Sequence, residues 1–166
     1  MATDSVVHQL AIRVGNRLRD ERLMLATAES CTGGMVATAI TDISGSSGWF
    51  ERGFVTYSNQ AKIEMIGVPS DLIDRHGAVS EPVARAMVEG ALRNSRAQVA
   101  LSITGVAGPG GGTETKPVGM VCFGWSNRLH TVVETLVFKG DRERVRVQAA
   151  THALRGLLTL LDERER

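Results

Sequence analysis

Net charge, cysteine, histidine clusters and long apolar runs are all scarce in this sequence, and each scarcity closes off a class of function. The 19 Lys and Arg residues balance 18 Asp and Glu, leaving a formal net charge of +1. Nucleic acid or an anionic membrane surface is therefore not expected as a partner, since both call for a marked basic excess or stripe. Cys31 and Cys122 stand far apart, outside any Cys-x-x-Cys or Cys/His cluster, so two free thiols in a reducing cytoplasm are expected rather than a disulfide framework or zinc site. His8, His76, His130 and His152 are scattered, with no metal-ligand spacing, and neither a metal nor another cofactor is expected. No apolar run approaches the roughly 20 residues that span a bilayer, and the first residues lack the continuous apolar stretch of a signal peptide. A cytoplasmic protein is the expectation. Aromatic residues make up 4% of the chain, which says nothing about self-association.

A hydrophobic content of 43% over 166 residues suits one substantial core, so a single domain over 1–166 is expected. Val7, Leu10, Ala11, Val14 and Leu18 recur at helical spacing, with Asp4 or Ser5 placed to cap the helix. A strand follows near Leu23 to Ala28, a second helix over Met35 to Ile40, a turn-rich stretch from Asp42 to Gly48, and a strand over Phe54 to Tyr57. Asn59 can cap a short helix carrying Lys62, and another short helix covers Ser70 to Arg75. Ser80 caps a helix with Pro82 in its first turn that runs to about Asn94. Val99 to Thr104 reads as a buried strand ending in a glycine cluster. Val118 to Trp125 and Thr131 to Phe138 read as a hairpin through Asn127 and Arg128. A last helix opens at Asp141 and carries Val145, Ala149, Leu154, Leu157, Leu158 and Leu161 inward. Helices interleaved with strands predict an α/β fold of three layers, α/β/α, with a mixed, mostly parallel sheet that the hairpin supplies with an antiparallel strand.

One passage stands out. Leu25 to Gly34 runs Leu-Ala-Thr-Ala-Glu-Ser-Cys-Thr-Gly-Gly, an apolar strand giving way to a hydroxyl-rich turn, a glycine pair and a helix. The N–H groups at such a junction lack helical partners and carry the positive end of the dipole, so an anionic oxygen is expected there, beside Ser30, Cys31 and Thr32. Thr104 and Gly105 end a central strand, where open α/β sheets hold ligands, and Gly108 and Gly110 to Gly112 let a backbone approach phosphate or ribose. The glycine cluster does not fit a Walker motif, so ATP is not implied.

Ala28 to Gly34, Gly45-Ser46-Ser47, Phe54 to Asn59 with Lys62, Gly77 to Ser80, Thr104 to Pro109, Lys116 to Gly119 and Gly140-Asp141-Arg142 together resemble the CinA C-terminal family over nearly the whole chain. That resemblance implies a three-layer α/β/α fold and hydrolysis of nicotinamide mononucleotide to nicotinate mononucleotide and ammonia, in pyridine nucleotide salvage. Some members carry a preceding molybdopterin-binding-like domain; this chain resembles the stand-alone amidohydrolases. Self-association as a homo-oligomer is also implied.

Amide hydrolysis without a metal needs a nucleophile, a proton acceptor and donors for the tetrahedral oxyanion. By resemblance, Ser47 maps to the nucleophile and Lys62 to its base, with Tyr57 and Ser30 in the supporting hydroxyl network. Ser30 is the alternative nucleophile. A free lysine, with a pKa of about 10.4, serves as a base only if burial or a cationic neighbour favours the neutral amine. Thr32, Gly33, Thr104, Gly105, Gly108 and Arg142 are the expected substrate-binding residues, with Arg142 on the phosphate. Cys31 reads as a small buried residue, because no histidine partner is in view. A second reading keeps the same ligand but not the chemistry, as a non-catalytic nucleotide sensor or interaction module.

Overall fold

The computed structural model describes residues 5–164; Asp4, one of the two expected caps, lies outside them. Ser5 caps helix α1 (Val6–Glu21) by accepting from the His8 N–H at 3.2 Å. Strand β1 (Leu25–Glu29), helix α2 (Met35–Thr41), a single 3-10 turn at Ser46–Gly48 and strand β2 (Phe50–Val55) follow. Next come helices α3 (Asn59–Ile66), α4 (Ser70–His76) and α5 (Glu81–Arg93), then strands β3 (Val99–Gly105), β4 (Met120–Ser126) and β5 (Thr131–Val137), and finally helix α6 (Arg142–Arg164). Ser58, not Asn59, caps α3. Ser80 caps α5 as expected, accepting from the Val83 N–H. Strand β2 starts four residues earlier than the sequence pattern predicts, because its charged Glu51 and Arg52 are tolerated on an edge strand.

The sheet order is β2-β1-β3-β4-β5. Strand β1 is parallel to both β2 and β3, while β4 is antiparallel to both β3 and β5. The sheet is therefore mixed, with β4 alone running against the other four strands.

Side chains alternate across the sheet and sort its two faces by size. Leu25, Val99, Leu101, Ile103, Val121, Phe123 and Trp125 join α1, α2 and α6 in the larger core. Ala26, Ala28 and Ala100 meet α5 and the short helices on the other face. Small residues there let α5 come close: Ser102 Oγ donates to the Ala84 carbonyl at 2.7 Å, and a Cβ at Gly124 would stand 2.8 Å from that same oxygen. Helices thus cover both faces, giving the three layers expected.

Register fixes where a ligand can sit. Glu29 pairs with Val55 on one side and Ile103 on the other, so three parallel strands end at one level. The chain emerges there as Ser30, Thr56 and Thr104, which makes the carboxyl edge of β2, β1 and β3 the natural ligand crevice of an open α/β sheet.

Candidate active site

A pocket of about 310 Å³ opens at that edge, lined by residues from five stretches of chain, among them Ser30, Tyr57, Asn59, Lys62, Thr104, Gly105, Gly108, Gly110, Gly111 and Arg142. At its floor Ser30 Oγ lies 3.1 Å from Lys62 Nζ. The amine also donates to the Thr56 carbonyl at 3.0 Å, and the Ser30 hydroxyl reaches the Tyr57 carbonyl at 3.4 Å. Helix α3 turns Lys62 inward directly beneath the end of β2, and the side chain is 1% exposed.

No carboxylate pairs with this amine among the described residues. Burial holds its pKa below the ordinary lysine range, opposed only by the nearby Cys31 thiol, because a low-dielectric site disfavours the ammonium form. A neutral amine can accept the Ser30 proton while still donating to Thr56, and that is the geometry of a serine and its general base.

Ser47 lies elsewhere. It is exposed in the 3-10 turn before β2, whereas Tyr57 and Lys62 follow that strand. Six residues of β2 at about 3.3 Å each separate the two ends by roughly 20 Å. Ser47 does not line the pocket, while Ser30, Lys62 and Tyr57 do. Tyr57 contributes through two groups: its carbonyl meets Ser30, and its hydroxyl accepts from Arg142 Nη2 at 3.2 Å. The ring stands 61% exposed at the mouth.

Arg142 also donates to the Gly108 carbonyl at 2.8 Å, so it braces two walls of the pocket while its guanidinium faces in. Thr104 is held by its hydroxyl, which donates to the Ala78 carbonyl at 2.9 Å. Gly105 is required by close approach: a Cβ would meet Val121 Cγ2 at 2.8 Å, the Met120 carbonyl at 2.9 Å and Cys31 Sγ at 3.1 Å. The Cys31 thiol, buried beside Ser30, is pushed up to about 12, chiefly by burial, so it is protonated at neutral pH and inert as a nucleophile.

The start of α2 differs from its sequence reading. Its donors are taken by the protein's own carboxylate: Glu29, wholly buried, accepts from the Val36 and Ala37 N–H groups at 2.9 and 3.0 Å and from the Thr32 hydroxyl at 2.6 Å. The anion expected there is therefore internal, and Thr32 and Gly33 do not line the pocket. Three further residues escaped the sequence reading: Glu29, Asn59 in the pocket wall, and Arg146. The guanidinium of the last grips the Cys31 and Thr32 carbonyls. Among the described residues no three His, Cys, Asp or Glu side chains gather as metal ligands would.

The family profile described as the CinA C-terminal domain matches residues 7–161. The chain belongs to the CinA C-terminal domain family. Among members, the nicotinamide-nucleotide amidohydrolase PncC of Escherichia coli K12 is 54% identical over 156 residues, spanning 93% of this chain and 94% of that protein. PncC of Enterobacter agglomerans is 48% identical over 153 residues. Other CinA relatives are longer: this chain spans 38% of a Symbiobacterium thermophilum protein that is 54% identical over 162 residues. The crystal structure of competence/damage inducible protein CihA from Agrobacterium tumefaciens superposes with a TM-score of 0.94 at 40% identity, covering 96% of this chain and 98% of that one. An E. coli CinA superfamily structure gives 0.90 at 38% identity, covering 96% and 92%. No helix among the described residues is long and apolar enough to cross a membrane.

Proposed function

We propose that this CinA-family chain hydrolyses the carboxamide of nicotinamide mononucleotide, releasing nicotinate mononucleotide and ammonia, with Ser30 as nucleophile and Lys62 as its base. The observation that carries the reading is the 3.1 Å approach of Ser30 Oγ to a buried lysine amine without a carboxylate partner. The PncC amidohydrolases, at 54% identity over nearly their whole length, supply the substrate class. Ser47, which the resemblance favoured as nucleophile, is too far from Lys62 to share a proton with it, and Ser30 takes that role.

The reaction then runs in two halves. Lys62 takes the Ser30 proton as Oγ attacks the carboxamide carbon, and returns it to the leaving nitrogen as ammonia departs. Water deprotonated by the same amine cleaves the acyl-serine and frees the carboxylate. The remaining pocket suits the rest of the molecule. The exposed Tyr57 ring offers a face to the cationic pyridinium, and Gly110, Gly111 and Arg142 lie where a phosphate could be held.

The deciding experiment is ammonia release from nicotinamide mononucleotide by the purified protein. Stoichiometric ammonia and nicotinate mononucleotide are expected. Binding without turnover would instead support the sensor reading. Arg142→Ala should raise KM for the mononucleotide at least tenfold and leave KM for the phosphate-free nicotinamide riboside within about twofold, since one charge-assisted phosphate contact contributes about 1.5–3 kcal/mol. Equal changes for both substrates would remove Arg142 from the phosphate. We also propose, from the family resemblance, that the single domain acts in pyridine nucleotide salvage in the cytoplasm as a homo-oligomer.

A further inference from the structure

Resting on the mononucleotide reading for its ligand, we infer that Asn59 is a specificity residue that reads the sugar, its side-chain amide taking the ribose hydroxyls of the substrate. Asn59 lines the pocket. Every other pocket side chain bearing nitrogen or oxygen is engaged inside the protein: Ser30 with Lys62, Tyr57 with Arg142, and Thr104 with the Ala78 carbonyl. The Asn59 amide meets neither a donor nor an acceptor among the described residues.

The local sequence explains why it is unspent. Ser58 and Asn59 are both good capping residues standing side by side. Ser58 does the work, its hydroxyl accepting from the Ala61 N–H at 3.0 Å, so Asn59 becomes the first residue of α3 with no cap left to make. Its neighbour Gln60 turns away and donates to Glu64 at 2.9 Å. Asparagine is a poor helix former because its amide competes for backbone groups, and here that amide holds no backbone group at all.

Depth then assigns the part of the ligand it meets. Lys62 follows Asn59 at i+3 on the same side of α3; its side chain is 1% exposed at the pocket floor with Ser30, whereas Asn59 is exposed nearer the mouth. The carboxamide carbon has to reach Ser30 Oγ, so the pyridinium and then the sugar extend outward past Asn59. The ring offers no donor or acceptor, and the phosphate calls for the Arg142 charge. The 2′ and 3′ hydroxyls each donate and accept, and an amide presents an oxygen and an NH₂ side by side to match them.

The test is a cycle of two proteins and two substrates, wild type and Asn59→Ala with nicotinamide mononucleotide and with its 2′,3′-dideoxy analogue. For the natural mononucleotide, Asn59→Ala should lower kcat/KM about tenfold, the scale of one or two neutral hydrogen bonds, with the change in KM and with kcat within about twofold. For the dideoxy analogue the two proteins should agree within about twofold, because the partner groups are already gone. A structural role for Asn59 would weaken both substrates alike. Equal losses for the two, a loss confined to kcat, or no loss for either overturns the inference while wild-type turnover leaves the amidase reading intact. If wild type releases no ammonia, the amidase reading fails and calorimetric Kd values for the same four pairs decide: weaker binding of the mononucleotide alone to Asn59→Ala supports the sugar contact, and equal weakening or no binding overturns it.

Discussion

Ser30→Ala lowers ammonia release from nicotinamide mononucleotide by roughly 10⁴-fold or more, whereas Ser47→Ala keeps it within about twofold of wild type. The size of the first effect follows from removing the group that makes the covalent bond. Losing one member of a nucleophile and base unit costs nearly as much as losing the unit, and only binding and the oxyanion donors remain. The smallness of the second follows from the exposed turn that holds Ser47, on the far side of β2 from Lys62. Steady-state rates of the two variants, with substrate affinity checked by calorimetry, decide the matter. A Ser30→Ala enzyme that still turns over, or a Ser47→Ala enzyme that does not, would move the nucleophile away from the lysine.

Lys62→Met is expected to cut kcat by about 10²–10⁴-fold, the usual share of a general base, and Lys62→Arg should do no better because its guanidinium does not lose a proton. In the wild type the rate should rise with pH as the buried amine deprotonates, with the midpoint of that limb below the ordinary lysine value because burial lowers it. Stability has a matching sign. The unfolded chain keeps its lysine proton at pH values where the folded chain has lost it, so the unfolded state binds more protons and wild-type stability rises with pH between the folded and unfolded values. Lys62→Met lacks this slope. Chemical denaturation of both proteins at a series of pH values reads it directly, and parallel curves would show that the amine titrates no differently in the fold than in the open chain.

Much of this arrangement was legible in the chain. Hydrophobic periodicity located α1 and α6, Ser80 and Pro82 announced the start of α5, and the run from Val99 marked β3. Ser30, Tyr57, Lys62, Thr104, Gly105, Gly108 and Arg142 were all named from sequence, and the fold gathers them into one pocket. What sequence could not supply was adjacency. Ser47 is nearer to Lys62 along the chain than Ser30 is, but an intervening strand carries the chain across the sheet, and parallel pairing of β1 with β2 brings Ser30 back to the lysine. Arg146 and Glu29 stayed hidden for a different reason: each binds main-chain groups, and main-chain partners leave no signature in residue identity.

The buried Glu29 gives the crevice a built-in polarity. Its negative charge stands behind the Ser30 turn, while the opposite rim carries the Arg142 cation. A mononucleotide with a cationic ring and an anionic phosphate would meet an opposite charge at each end when its ring faces the Ser30 turn and its phosphate the Arg142 rim.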